Sequence, residues 1–353
     1  MSRKIGILTG GGDCPGLNPA IRGAVIQALD LGYECWGLEE GWKGLIEGNA
    51  RRLNLGDVEG IVGQGGTILG TSRTNPFKKE KGVEKALESL KFLGLYSLIA
   101  MGGEDTLGVA QRLYAEHQVN VVGVPKTMDN DLSATDYTFG FDTATTIAVD
   151  AAEKLIDTGK SHRRVMVLEV MGREAGWVAL FTGMAAGADY IAIPEKPFDE
   201  TEMLEQIKVS YQRKKHALVV VSEALKFPKP ASNGNIVPEK DDFGHALLKE
   251  QGTGDTVAKM IEKGTGIETR AAVIGHIQRG GKPTLFDRML ATRVGMKSAQ
   301  MTHEGQFGRM AAMRGSEIID VSLKEAAGTL KKVSKDWIIA AQTLCAKRET
   351  VLR

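Results

Sequence analysis

Residues 4–19 read KIGILTGGGDCPGLNP. Ile5–Thr9 is an apolar run of strand length, ended by three consecutive glycines. Behind the glycines, Asn18 is a residue type that caps helices, and Pro19 suits the first helical position. Ile21, Ala24, Val25, Ala28 and Leu29 then recur at helical spacing. Strand, glycine turn and helix in that order open a β–α unit. The pattern returns at Leu98–Met101, where Gly102-Gly103 leads into a helix expected to reach about Glu116. It returns again at Val119–Val124, a strand expected to break at Pro125. Such a series predicts a parallel sheet covered by helices on both faces, with ligands outside the carboxyl ends of the strands.

A second series starts near Phe141. Asp142–Thr158 reads as a helix, and Val165–Val170 as a strand ending in Met171-Gly172-Arg173. Ile191–Pro194, Ala217–Val221 and Ala271–Ile277 read as further strands, the last followed by Gln278-Arg279-Gly280-Gly281. Lys226–Asp242 is polar, carries Pro and Gly, and reads as a surface loop. Two α/β domains are expected.

Composition narrows the function. Forty-five basic residues against 44 acidic ones leave a net charge of +1, so nothing favours nucleic acid, and a basic site has to be local. Three cysteines, Cys14, Cys35 and Cys345, without a CxxC pair argue against a disulfide framework or a zinc site. No stretch approaches the roughly 20 apolar residues that span a membrane, and MSRKIGILTGGG lacks the apolar core of a signal peptide. The expectation is a cytoplasmic protein without a membrane partner.

Four groups of residues carry chemistry. Gly10–Gly16 brings main-chain N–H groups close to an anion at a helix start, although a tight turn without a ligand has the same look. It is neither a Walker loop nor a proper GxGxxG. Glu104 and Asp105, beside Gly102-Gly103, suit a hard cation shared with substrate phosphates; acids in a first helical turn also stabilise the helix without other function. Asp129 and Asp131, in PKTMDND (residues 125–131), point to one side of an extended loop. One could take a hydroxyl proton while the other holds metal or Lys126. Arg164, Arg173, Arg270, His276 and Arg279 gather around strand ends, and arginine is the preferred bidentate binder of phosphate.

These blocks together resemble the 6-phosphofructokinases: Leu8–Asn18, Pro125–Asp131, Glu169–Gly176 (EVMGREAG) and Gly275–Gly281 (GHIQRGG), in family order over roughly residues 1 to 300. The resemblance implies two Rossmann-like α/β domains with mainly parallel sheets. Residues 1–140 plus 278–328 would bind the phosphoryl donor, and 141–277 plus 329–353 the sugar phosphate. It implies Gly12 and Arg73 on the donor phosphates and Glu104 on Mg²⁺. Thr127, Asp129 and Asp131 would hold fructose 6-phosphate, with Asp129 as the base for its 1-hydroxyl. Met171, Gly172 and Arg173 would meet sugar and transferring phosphate, and Glu223 the sugar hydroxyls. Arg164, Arg270, His276 and Arg279 would grip the 6-phosphate. Arg164 and Arg270 would serve a neighbouring subunit, implying a homodimer or homotetramer.

Two departures point to the donor. ATP-dependent members carry Gly where Asp105 and Lys126 stand, and this pair is the pattern of pyrophosphate-dependent members. A carboxylate at 105 fills the path of a nucleotide's α-phosphate and repels it, while Lys126 supplies charge to the shorter donor. ATP as donor and sedoheptulose 7-phosphate as acceptor are the alternatives. Arg22 matches the effector pocket of allosteric members, but Ile26 and Leu55 replace its other arginines, so a non-allosteric enzyme is expected.

Overall fold

The computed structural model describes residues 2–227 and 252–345. Its strands are β1 (Lys4–Thr9), β2 (Glu34–Leu38), β3 (Ala50–Leu53), β4 (Leu95–Gly102), β5 (Val121–Thr127), β6 (Phe139–Gly140), β7 (Val165–Val170), β8 (Tyr190–Ala192), β9 (Ala217–Ser222), β10 (Thr269–Val273), β11 (Arg309–Arg314) and β12 (Glu317–Ser322). Among the described residues, 2–143 and 279–331 form one compact unit, and 144–227, 252–278 and 332–345 form a second.

The first unit holds an eight-stranded sheet in the order β12-β11-β5-β4-β1-β2-β3, with β6 paired to β5. β1, β2, β4, β5 and β11 run parallel, whereas β3 and β12 are antiparallel edge strands. From β1 the chain first moves to β2 on one side and later to β4 on the other. The strand order therefore reverses between β1 and β4, the place where open α/β sheets bind ligands. β5 is buried throughout and β1 nearly so, which is why Ile5–Leu8 and Val121–Val124 read as apolar runs. Leu8, Leu98, Leu107, Val121, Met310 and Leu323 share one core. The helix Leu17–Asp30 packs on the helix Leu285–His303 at close range. A Cβ on Gly295 would lie 2.2 Å from the Ala20 carbonyl oxygen, and one on Gly23 2.4 Å from that of Thr292.

Several expectations change here. Pro125 does not end its strand. It sits opposite Gly102 at the last β4–β5 pair, and the chain runs on to pair Lys126 and Thr127 with β6. Asn18 does not cap its helix, which starts at Leu17 behind Gly16. Its amide instead donates to Gln64 O and Gly65 O and accepts from Ile68 N–H, pinning that loop to the sheet edge. Residues 329–331, expected with the second domain, pack with the first through a Leu132–Leu330 bridge and the contacts of Lys331.

The second unit is a four-stranded parallel sheet, β10-β7-β9-β8. Val165, Val167, Val219, Val221, Ile207 and Ile261 build its core. The strand expected over Ala271–Ile277 stops at Val273, and Gly275–Arg279 forms a 3-10 turn. From residue 228 on, the loop expected at Lys226–Asp242 lies outside the described residues. Among the described residues, no helix is long and apolar enough to cross a membrane.

Candidate active site

The carboxyl ends of β1, β4 and β5 lie side by side in the first unit. Thr9 is paired with Met101 and Gly102 with Pro125, so the glycine loop, the GGED turn and the PKTMDND loop share one edge. The glycine loop is held from behind. Gly10 N–H donates to Met101 O, Gly11 N–H to Ser72 O, and Thr71 Oγ1 to Gly11 O at 2.6 Å. Arg73 follows Ser72 and is exposed beside the loop. Buried Lys126 sends its ammonium back to Gly12 O at 2.5 Å, tying the end of β5 to the loop. Arg279 Nη1 donates to Asp13 O at 3.0 Å. A Cβ on Gly12 would stand 2.7 Å from the same guanidinium, which would have to shift to make room for it. Arg279, expected with the sugar's 6-phosphate, thus rests against the glycine loop.

Glu104 and Asp105 form the first turn of the helix Glu104–His117. Both line a cavity of 420 Å³ with Asn75, Phe77, Gly108 and Arg112. The turn lies against the next loop, for a Cβ on Gly103 would be 3.6 Å from Lys126 O. Among the described residues, no group of three or more His, Cys, Asp or Glu could hold a metal alone. Two adjacent carboxylates fit the usual Mg²⁺ arrangement, in which one or two acids are completed by water and substrate phosphate.

In the PKTMDND loop, Thr127, Asp129 and Asp131 are all buried. Asp129 N–H donates to Thr127 Oγ1 at 3.0 Å, and that hydroxyl donates to Asp129 Oδ2 at 3.2 Å. Asp129 Oδ1 is buried and has no hydrogen-bond partner among the described residues. A buried, unmatched carboxylate oxygen is costly, so its retention needs a reason such as an absent ligand.

In the second unit the turn after β7 is organised by two side chains. Glu223 Oε1 accepts from Gly172 N–H at 3.2 Å and from Arg173 N–H at 3.1 Å. Buried Gln278 accepts from Met171 N–H at 2.9 Å. Arg173 itself takes a left-handed backbone with φ 50°, and the Glu223 bond helps hold it there. Met171, Gly172, Arg173 and Glu223 therefore come together as expected. Exposed His276 lies in the 3-10 turn at the same strand edge.

Arg164 and Arg270 do not join them. Arg164 precedes the first residue of β7, and Arg270 is the second residue of β10. Both converge on Glu268, at 2.7 and 2.6 Å, and the guanidinium of Arg164 beside it is the main cause holding its carboxyl pKa below the usual value. At about 3.3 Å per residue, this cluster is about 20 Å along the sheet from Met171. The four basic residues expected on one phosphate thus divide between places. Sequence reading also missed Glu268, Gln278 and Lys331. Gln278 was visible only as a member of the GHIQRGG block.

The phosphofructokinase family model matches residues 4–302. The chain belongs to the phosphofructokinase family. Among its relatives, the pyrophosphate–fructose 6-phosphate 1-phosphotransferase of Streptomyces coelicolor is 48% identical over 94% of this phosphofructokinase and 96% of its own length. An ATP-dependent 6-phosphofructokinase of the same organism is 46% identical over 97% of the chain and 99% of its own. The solved phosphofructokinase of Saccharomyces cerevisiae superposes with a TM-score of 0.79 at 28% identity. That match covers 98% of this phosphofructokinase, which spans 47% of the yeast chain.

Proposed function

We propose that this phosphofructokinase is a diphosphate–fructose-6-phosphate 1-phosphotransferase. It moves a phosphoryl group from pyrophosphate to the 1-hydroxyl of fructose 6-phosphate, giving fructose 1,6-bisphosphate and phosphate, and the reaction is reversible. The observation that carries the reading is Asp129 Oδ1, a buried carboxylate oxygen in the loop after β5 without a partner among the described residues. Asp129 takes the proton of the 1-hydroxyl as its oxygen bonds to phosphorus. The bond from that phosphorus to the bridging oxygen breaks, and phosphate leaves with the electron pair. Phosphoryl transfer needs mainly positioning and charge stabilisation. Lys126 and Arg173 supply charge, with Gly12 and Arg73 on the donor. Thr127, Asp131, Met171, Gly172 and Glu223 orient the sugar. Mg²⁺, when bound, neutralises donor charge, and Glu104 is the residue that holds it.

His276 takes the 6-phosphate from within the chain, and Arg279, against the glycine loop, lies beside the donor. The position of Arg164 and Arg270 at the opposite strand edge supports their service to a neighbouring subunit, in a homodimer or homotetramer. Asp105 and Lys126 favour pyrophosphate. ATP as donor is the second reading, favoured by the ATP-dependent relative at 46% identity. A coupled assay with Mg²⁺, fructose 6-phosphate and each donor in turn decides between them. Turnover with ATP alone would overturn the proposal.

A further inference from the structure

The PKTMDND loop continues into a buried segment that leaves regular structure until β6. Met128, Asn130, Leu132, Thr135 and Thr138 are all buried. Its backbone is bent twice into the left-handed region by non-glycine residues, Asn130 at φ 52° and Ala134 at φ 62°. Such a segment keeps its shape only if the surroundings over-determine it. One side chain from the far end of the unit meets much of that need. Lys331 Nζ donates to Asn130 Oδ1 at 3.1 Å, to Thr135 O at 3.0 Å and to Asp136 O at 2.7 Å. Three acceptors meet an ammonium that has three hydrogens. Lys331 N–H also donates to Asp131 O at 2.7 Å.

The same Asn130 Oδ1 accepts from Thr138 N–H at 3.2 Å, and Thr138 Oγ1 donates to Thr127 O at 2.7 Å. An unbroken chain of bonds thus runs from the Lys331 ammonium through Asn130 and Thr138 to Thr127. Thr127 in turn holds Asp129 by two bonds. We infer that Lys331 is a positioning residue of the phosphotransfer reaction, which fixes the loop that presents Asp129 and Asp131. The inference rests on the role proposed for that loop.

Protonation bears on the clamp. Burial pushes the Lys331 pKa down to about 8, while the Asp136 and Asp131 carboxylates pull it upward. A neutral amine keeps two hydrogens for three acceptors. The clamp is therefore complete below about pH 8 and loses a bond as pH rises through that value.

The test compares wild type, Lys331→Met and Lys331→Arg. It measures kcat and both KM values between pH 6 and pH 9.5, melting temperature, and amide exchange over residues 128–138. A misplacement on the order of 1 Å can cost about 10²-fold. Lys331→Met is therefore expected to lose about ten- to a hundred-fold in kcat at pH 7, with pyrophosphate KM little changed. Its amide exchange over 128–138 should accelerate while the rest of the protein stays protected. The wild-type fall in kcat above about pH 8 should vanish in Lys331→Met. Lys331→Arg, which keeps the charge, should recover part of kcat and move the fall to higher pH. Wild-type kcat and pH profile in a folded Lys331→Met would overturn the inference. So would a kcat loss with unchanged exchange in the loop, or a loss that only follows the fraction unfolded. If wild type turns over neither donor, the functional reading fails by itself, and the exchange experiment still decides whether Lys331 holds the loop.

Discussion

Donor choice should follow from two side chains, and a double-mutant cycle reads their contributions. Asp105→Gly removes a carboxylate from the cavity it shares with Glu104, Phe77 and Arg112. If a nucleotide's α-phosphate enters that space, like charges at ~4 Å repel by roughly 1–4 kcal/mol at effective dielectrics between water and a protein surface. Relief of that repulsion is worth about one to three decades in kcat/KM for ATP. The helix pays a known penalty. Loss of an acid from the first turn costs about 0.3–1 kcal/mol and glycine about 1 kcal/mol, small beside a typical stability of about 5–15 kcal/mol. A fall in pyrophosphate turnover in this variant is therefore not explained by unfolding. Lys126→Gly deletes the bond to Gly12 O at 2.5 Å. It also removes the charge proposed to act on pyrophosphate, and a hydrogen bond from a charged group to the transition state, at about 1.5–3 kcal/mol, corresponds to a drop of about one to two decades in pyrophosphate kcat/KM. The double variant should shift the ratio of kcat/KM values toward ATP, and the two changes should not add, since residues around one ligand couple. The assay is coupled turnover with each donor for wild type, both singles and the double. A wild type that prefers ATP, or a double variant with an unchanged donor ratio, would refute the reasoning.

Asp129→Ser should lose about two or more decades in kcat with little change in KM, since a positioned base contributes about 10²–10⁴; a raised KM with kcat intact would reassign Asp129 to binding. Arg270→Ala should raise the sugar-phosphate KM, by about 1.5–3 kcal/mol in binding terms, and leave kcat near wild type; an unchanged KM sinks the exchange of arginines between subunits. Buried Asp287 accepts from Thr143 N–H at 2.8 Å and from Thr143 Oγ1 at 2.5 Å, and burial pushes its pKa from 3.8 up to about 6. A raised carboxyl pKa stabilises the fold below the unfolded value and is lost as pH climbs through about 6, here worth about 3 kcal/mol at most. Wild-type melting temperature should therefore fall relative to that of Asp287→Asn between pH 4 and pH 7, and parallel pH curves for the two proteins would contradict this.

The β–α grammar and the blocks of candidate site residues were legible without a structure. Ile5–Thr9, Leu98–Met101 and Val165–Val170 lie in covered parallel sheets, and such strands are apolar along most of their length, with Thr9 and Glu169 as exceptions at or next to a carboxyl end. The glycine loop, GGED and PKTMDND were legible as candidates because a backbone meant to approach an anion closely restricts residue type locally. Local sequence also pairs Met171–Arg173 with a strand end, which is why that turn was found.

What the sequence withheld depends on partners far along the chain. Pro125 reads as a strand breaker, and only its place at the last β4–β5 pair makes it harmless, because no further ladder bond to β4 is needed there. Asn18 reads as a cap, yet its amide is spent on residues 64, 65 and 68. Arg270 and His276 are neighbours in sequence, but β10 sets them toward opposite ends of a strand, one on Glu268 and the other beyond the carboxyl edge. Lys331 is an ordinary lysine in a charged tail until the fold closes it over residues 130–136, some 200 positions earlier. Composition and spacing determine which backbone a short segment prefers and which ligands its side chains suit. Which distant groups share one hydrogen bond is decided only when the sheet is assembled, because long-range packing alone brings them within 3 Å.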